Sequence, residues 1–183
     1  MISECLKKDQ PFGIVSYIDK KISSVGCLCS IEKVHKSYSD GKYDIVCRGI
    51  DRFLTHSYNS NDVYLKGNVT LFHDEELPPA TESHLFNDVL KKFKKLLQAS
   101  ITILEDTEVA DPANSFEFGH SVGFDLAQKQ NLLEIKTEQE RLKFISKHID
   151  SVLPKMKAAE EIKSRIRNNG HFRQFPPITF NPD

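Results

Sequence analysis

Apolar and polar positions follow two different rhythms along this chain, and they change over near residue 77. Phe12-Gly13-Ile14-Val15-Ser16-Tyr17-Ile18 and Val25-Gly26-Cys27-Leu28-Cys29-Ser30-Ile31 are short apolar runs of strand length. Between residues 37 and 43 the chain carries Asp40-Gly41. That pair suits a tight hairpin turn, because Gly accepts positive φ and Asp tolerates it. After the turn, Tyr43, Ile45 and Cys47 alternate with Asp44, Val46 and Arg48, which predicts a strand with one buried face. Residues 63–72 read as a further strand, with Gly67 at a bulge or bend. Several strands joined by short turns predict a mostly antiparallel sheet or small barrel.

Leu77-Pro78-Pro79-Ala80 marks the boundary, since paired prolines cannot continue a strand ladder. The division predicted is a β-unit over residues 1–77 and a helical unit over 78–183. Beyond the prolines, Phe86, Val89, Leu90, Phe93 and Leu97 make one apolar stripe at helical spacing, with Lys91, Lys92, Lys94 and Lys95 largely off it. A second helix is expected over residues 115–122, closed by Gly123 as a left-handed cap. Asp125 with Gln128, and Thr137 with Glu140, are helix-start signatures. The last helix has Leu142, Ile145, Ile149, Val152 and Met156 as its stripe, and Pro154 is expected to kink or interrupt it. The tail from Phe172 to Asp183 holds three prolines and reads as extended chain on the surface.

Composition narrows the classes. The chain has 183 residues, 25 Lys+Arg against 26 Asp+Glu, and a pI near 6.7. This balance argues against a general polyanion binder. With 39% hydrophobic and 28% charged residues it reads as globular rather than disordered. At this size a fold buries about 70% of the unfolded surface and needs no covalent staples. No apolar run reaches the roughly 18 residues of a membrane span. The polar N-terminus, Met1 to Lys8, lacks a secretory apolar stretch. Four cysteines are too few for a disulfide scaffold, so free thiols in a reducing, cytoplasmic setting are expected.

Catalytic signatures fail on inspection. A phosphate loop needs a Gly-Lys-Ser/Thr ending, and the only Gly-Lys pair, Gly41-Lys42, precedes Tyr43 in the predicted hairpin. Cys27 and Cys29 share a strand face, and Cys47 lies on a neighbouring strand. Zinc sites ordinarily place their cysteine pairs on turns, so these three read as small core residues. Seven histidines are scattered without paired spacing, and each reads as a surface or hydrogen-bonded structural residue. Asp74-Glu75-Glu76 reads as a solvated turn. The basic stretch 155–173 offers phosphate contacts, but such faces on amphipathic helices are ordinarily solvated. No cofactor and no metal is expected.

Several separated stretches resemble one family. Pro11-Phe12-Gly13-Ile14-Val15, Val25-Gly26-Cys27, the Asp40-Gly41 hairpin and Arg48-Gly49-Ile50-Asp51-Arg52-Phe53 look like the N-terminal, substrate-recognition (LON) domain of the Lon ATP-dependent proteases. Asp125-Leu126, Lys129-Gln130, Leu132-Leu133-Glu134 and Arg141-Leu142 match that domain's helical half. The closing Asn169-Gly170-His171-Phe172-Arg173-Gln174-Phe175-Pro176-Pro177 is similar to the end of stand-alone bacterial LON-domain proteins.

The resemblance implies an α+β fold, a mostly antiparallel PUA-like β-barrel followed by an α-helical bundle. It also implies a non-catalytic module that binds unfolded or specific protein segments, acting with a separate ATP-dependent protease. Full Lon proteases add an ATPase and a Ser–Lys peptidase domain, whose motifs are not found in this sequence. Family members usually carry about thirty residues and the first strands ahead of the position of Met1, so the expectation is either a misassigned start or a barrel open at that side. An open edge exposes unpaired backbone and apolar surface. A version extended upstream is therefore expected to be more soluble and to melt higher, and equal melting of the two versions counts against this. Phe172, Arg173 and Phe175, aromatic and cationic in a Pro-rich segment, are the contact candidates, with pinning of the tail to the bundle as their alternative role. RNA binding through the Lys91–Lys95 and 155–173 faces is the alternative function, by analogy with other PUA-like barrels.

Overall fold

The computed structural model describes residues 1–74, 84–101 and 110–169. Helix α1 (Ile2–Lys8) leads into strands β1 (Phe12–Ile14), β2 (Tyr17–Ile18), β3 (Lys21–Ile22), β4 (Val25–Ser37), β5 (Tyr43–Asn59) and β6 (Lys66–Leu71). Four helices follow: α2 (His84–Ile101), α3 (Ser115–Ser121), α4 (Leu126–Glu134) and α5 (Glu138–Asn169). The boundary expected at residues 77/78 falls in a stretch outside the described residues.

The β4–β5 hairpin forms where Asp40-Gly41 predicts it. Gly41 sits at φ 86°, and the Gly41 amide donates to the Tyr38 carbonyl at 3.1 Å. Asp40 secures the turn by accepting from the Lys42 amide at 3.2 Å. Past the turn, Tyr43, Ile45 and Cys47 are half-buried while Asp44, Val46 and Arg48 are exposed, as the alternation requires.

Other details depart from the pattern. The run Phe12–Ile18 divides into β1 and β2, and β2 pairs with β3 through Asp19 and Lys20, both at positive φ. A turn of that kind normally advertises itself with Gly or Asn, and neither is present. Gly67 pairs regularly with Tyr58. The irregularity lies further along, on β5 between Thr55 and Ser57, opposite Val69 and Asn68. β6 is also shorter than expected, because Val63 stands fully in solvent.

The main sheet is antiparallel throughout, in the order β1-β4-β5-β6. β1 and β6 are its two edges, and no strand among the described residues joins them, so the barrel is not closed. Close backbone approach is visible where β1 meets β4. A Cβ on Gly26 would stand 2.7 Å from the Ile14 carbonyl oxygen and 2.4 Å from the Phe53 ring, so only glycine fits.

The apolar core sits in the helical half. Phe86, Val89, Phe93 and Leu96 of α2 pack with Phe118, Val122, Phe124, Leu132, Leu142, Ile145 and Ile149. Leu96 takes the deep position that the spacing gave to Leu97, which is only partly buried. Phe118 receives the Phe86 and Phe93 rings edge-on, at centroid distances of 5.4 and 5.2 Å. Gly119 lets α3 lie against α4, since a Cβ there would meet Leu132 at 2.3 Å.

Helix ends follow the sequence signatures. Asp125 and Gln128 form a reciprocal capping box, at 2.8 and 3.0 Å. The Thr137 hydroxyl accepts from the Glu140 amide at 3.3 Å. Gly123 takes φ 78° directly after α3. α5 continues through Pro154 without interruption. A proline inside a helix costs about 3 kcal/mol. The flanking Val152, Leu153 and Met156 pack on the core and offset that cost.

Candidate docking groove

Two buried arginines hold the sheet against the helices. Arg52 lies on β5 in register with Cys27 and is 6% exposed; Arg141 lies in the first turn of α5 and is 2% exposed. Both guanidinium groups donate to Asp74, which follows β6. Arg52 also donates to the Leu133 and Ile135 carbonyls at 2.5 and 2.8 Å, at the C-terminal end of α4. Arg141 donates to Glu138 at 2.7 Å, to the Ser115 hydroxyl at 2.7 Å and to the Ile135 carbonyl at 3.0 Å. Glu138 in turn accepts from the Ser115 amide at 2.7 Å.

The cluster balances in charge, two arginines against Asp74 and Glu138. Burial pushes the Arg52 pKa down, with Asp74 opposing and the like charge of Arg141 adding to the fall. Burial also acts downward on Arg141, but its hydrogen bonds to Asp74 and Glu138 outweigh it and the net shift is upward. The Phe116 ring faces both guanidinium groups, with centroid distances of 4.5 Å to Arg141 and 5.4 Å to Arg52, and Phe72 faces Arg52 at 4.7 Å. Gln130 of α4 adds another tie by donating to the Val25 carbonyl at 3.0 Å.

This junction forms one side of an open groove of about 950 Å³ between the sheet and α3. Its apolar lining includes Ile50, Phe72, Pro112, Phe116 and Leu133. Ile50 is 50% exposed for a reason in the strand pairing. Leu28 pairs with Asp51 and Cys29 pairs with Gly49, which leaves Ile50 as the extra residue of a bulge on β5. Bulges re-aim side chains in this way. The rim is polar: Arg48 pairs with Glu32 at 2.5 Å, and His73 stands 3.7 Å from Asp51. A smaller hollow of about 370 Å³ lies by the open sheet edges, lined by Phe12, Leu28, Phe53, Tyr64 and Val69 among others.

Among the described residues, no group of three His, Cys, Asp or Glu side chains gathers in a way that could hold a metal ion. No helix of the described residues is long and apolar enough to cross a membrane. Two lysines of α2 are closely engaged with acids. Lys92 bonds Asp150 at 2.5 Å and Ser146 at 2.9 Å, and Lys94 bonds Asp111 at 2.7 Å.

Phe172, Arg173 and Phe175, the contact candidates read from sequence, lie outside the described residues. The residues that do assemble were not singled out as a site. Asp74, read as part of a solvated turn, is exposed, and it is also the shared acceptor of two buried guanidinium groups, a role the sequence did not announce. The desolvated arginines need a counter-charge, and Asp74 supplies it to both from just past β6. A sequence signal did exist for Arg141. Glu138, Arg141, Leu142 and Ile145 share one helical face, so a cation was written onto the stripe that faces the core.

A family model described as the ATP-dependent protease La (LON) substrate-binding domain matches residues 1–151. The chain is 24% identical to a Lon protease of Buchnera aphidicola over 151 residues, covering 79% of this chain and 19% of that protein. It is 23% identical to Lon protease 2 of Thermus thermophilus over 180 residues, covering 91% of this chain and 22% of that one. The chain thus spans about a fifth of the length of these curated relatives. Its fold resembles the crystal structure of a Lon N-terminal domain protein from Xanthomonas campestris, with TM-score 0.52, 23% identity and 78% of both chains covered. It also resembles the N-terminal domain of the Mycobacterium avium complex Lon protease, with TM-score 0.56, 22% identity, and 76% and 77% covered. The α+β architecture, the family match over most of the chain and the fold likeness agree: this chain belongs to the LON substrate-binding domain family.

Proposed function

We propose that the chain is a non-catalytic protein-binding module that receives unfolded or specific protein segments in the groove between sheet and helices, for a separate ATP-dependent protease in the cytoplasm. The β-unit of residues 1–77 supplies one side and the helical unit of 78–183 the other. The observation that carries this reading is the apolar strip of exposed Ile50 and Phe116 and half-buried Phe72, set beside a polar rim. A folded partner hides its apolar side chains, whereas an unfolded segment presents them, and burying them is the main source of affinity. Family membership supports the same assignment.

The test is a charge placed on the bulge. Ile50→Glu is expected to weaken binding of a fluorescently labelled, permanently unfolded polypeptide about tenfold, close to 1.4 kcal/mol. The half-exposed position should leave the unfolding midpoint nearly unchanged. Fluorescence anisotropy against the parent chain measures the first and urea titration the second. Undiminished binding by a folded Ile50→Glu variant would remove the groove from consideration.

A further inference from the structure

All four cysteines are free thiols. Two of them are in contact: the Cys27 and Cys29 sulfurs lie 3.8 Å apart on the same face of β4. Their position is built by the neighbouring strand. Cys29 pairs with Gly49, and the Cys27 sulfur occupies the space beside that glycine, only 2.9 Å from where a Cβ would stand. Any other residue at position 49 would crowd the sulfur, so the bulge and the glycine together make room for the pair. The two thiols are unequal in access. Cys27 is half-buried and lines the groove, whereas Cys29 is 5% exposed and lies behind it.

We propose that Cys27 and Cys29 are a peroxide-reactive dithiol that closes to a disulfide within β4. The Cys27 thiolate attacks one oxygen of hydrogen peroxide, the O–O bond breaks, and Cys27 becomes a sulfenic acid while hydroxide leaves. The Cys29 sulfur then attacks the Cys27 sulfur. The S–O bond breaks, the S–S bond forms, and the Cys29 proton leaves with the hydroxyl group as water. Two thiols are oxidised by two electrons in total, and one peroxide is reduced to two waters.

The second step needs a local bend of the strand. Two residues of strand advance about 6.6 Å, inside the roughly 4.4–6.8 Å that disulfide-linked Cα atoms span, but same-face Cβ atoms stand about as far apart and a disulfide needs about 3.5–4.5 Å. Closing the sulfurs from 3.8 Å to about 2.05 Å therefore requires β4 to bend at Leu28, where its pairing with β5 is already irregular. Burial, with the adjoining Cys27 and Cys47, pushes the Cys29 pKa up to about 12. Cys29 therefore stays protonated and waits, which assigns first attack to Cys27, the thiol that the groove exposes.

The reaction is read on the full chain without any docked segment, so this proposal and the docking proposal fail separately. Trypsin cuts after Lys21 and Lys33, and the released peptide 22–33 contains both sulfurs and no other cysteine. After peroxide treatment and alkylation of the folded protein, that peptide is expected to be lighter by two hydrogen atoms and to take up no alkylating group until reduced. Cys29→Ser is expected to halt Cys27 at the sulfenic acid, trapped by dimedone. In Cys27→Ser, Cys29 is expected to keep its thiol. The proposal is overturned if peptide 22–33 stays fully alkylatable, if Cys27 links to Cys5 or Cys47, or if Cys27 proceeds to the sulfinic acid with Cys29 intact. The wild-type peptide map decides the matter even if a serine variant fails to fold.

Discussion

Asp74→Ala is expected to destabilise the chain by about 3 kcal/mol, measured as the fall in unfolding free energy from urea titration followed by circular dichroism. Removing one partner of a buried ion pair typically costs about 3–5 kcal/mol, because the other charge remains without compensation. Here one carboxylate serves two guanidinium groups whose side chains are 8% and 2% exposed. The lower end of the range applies for two reasons. Asp74 is itself 39% exposed, so water can enter the gap, and Arg52 keeps the Leu133 and Ile135 carbonyls. Asp74→Asn keeps the shape and one acceptor but no charge, and should fall between the alanine variant and the parent. A loss below about 1 kcal/mol, the value of an exposed pair, would show that the cluster does not hold the sheet to the helices. The whole cluster need not be a net source of stability, since well-packed apolar residues of equal volume often do as well. Its contribution lies in orientation, because five donors on a planar guanidinium fix where β6, α3, α4 and α5 meet.

Local grammar made much of the fold readable. Asp40-Gly41, the Asp125–Gln128 and Thr137–Glu140 signatures and Gly123 each encode a backbone geometry within a few residues, and each is found in place. The α2 stripe was legible because a helix repeats its buried face at fixed spacing. The β2–β3 turn was not, since Asp19 and Lys20 are held at positive φ without the residues that usually announce it. The bulge that exposes Ile50 was equally hidden. It is a property of pairing between β4 and β5, and register is not written in either strand alone.

The groove was harder to read for the same reason. Arg52 and Arg141 are 89 positions apart and Asp74 lies between them in sequence, so their meeting depends on how the sheet docks on the helices. Each looks unremarkable in its own stretch: a cation inside a strand, an acid in an acidic triplet, and a cation in a first helical turn. Only Arg141 carried a local clue, its place on the buried side of α5. The family resemblance reached the stretches bearing both arginines, through Arg48 to Phe53 and Arg141-Leu142, yet gave no pairing between them.

Phe118→Ala is expected to have the larger effect, about 3–5 kcal/mol. Phe118 is fully buried, and its ring is the partner of two others, Phe86 and Phe93, that reach it edge-on from α2. Such pairs add about 0.5–1.5 kcal/mol each beyond the area they bury. α3 is only seven residues long and has no independent stability at that length. It is held by the Asn114 cap, the Ser115–Glu138 bonds and this ring. Losing the ring should loosen α3 first. Because α3 carries Phe116 on the groove wall, binding of an unfolded polypeptide should weaken under conditions where most of the chain is still folded. Hydrogen exchange of the α3 amides measures the loosening directly. Phe118→Leu keeps most of the volume and should lose less than half as much. If alanine costs less than about 1.5 kcal/mol and α3 exchange is unchanged, the core is not organised around this ring, and the helical half draws its stability from the α2–α5 contact instead.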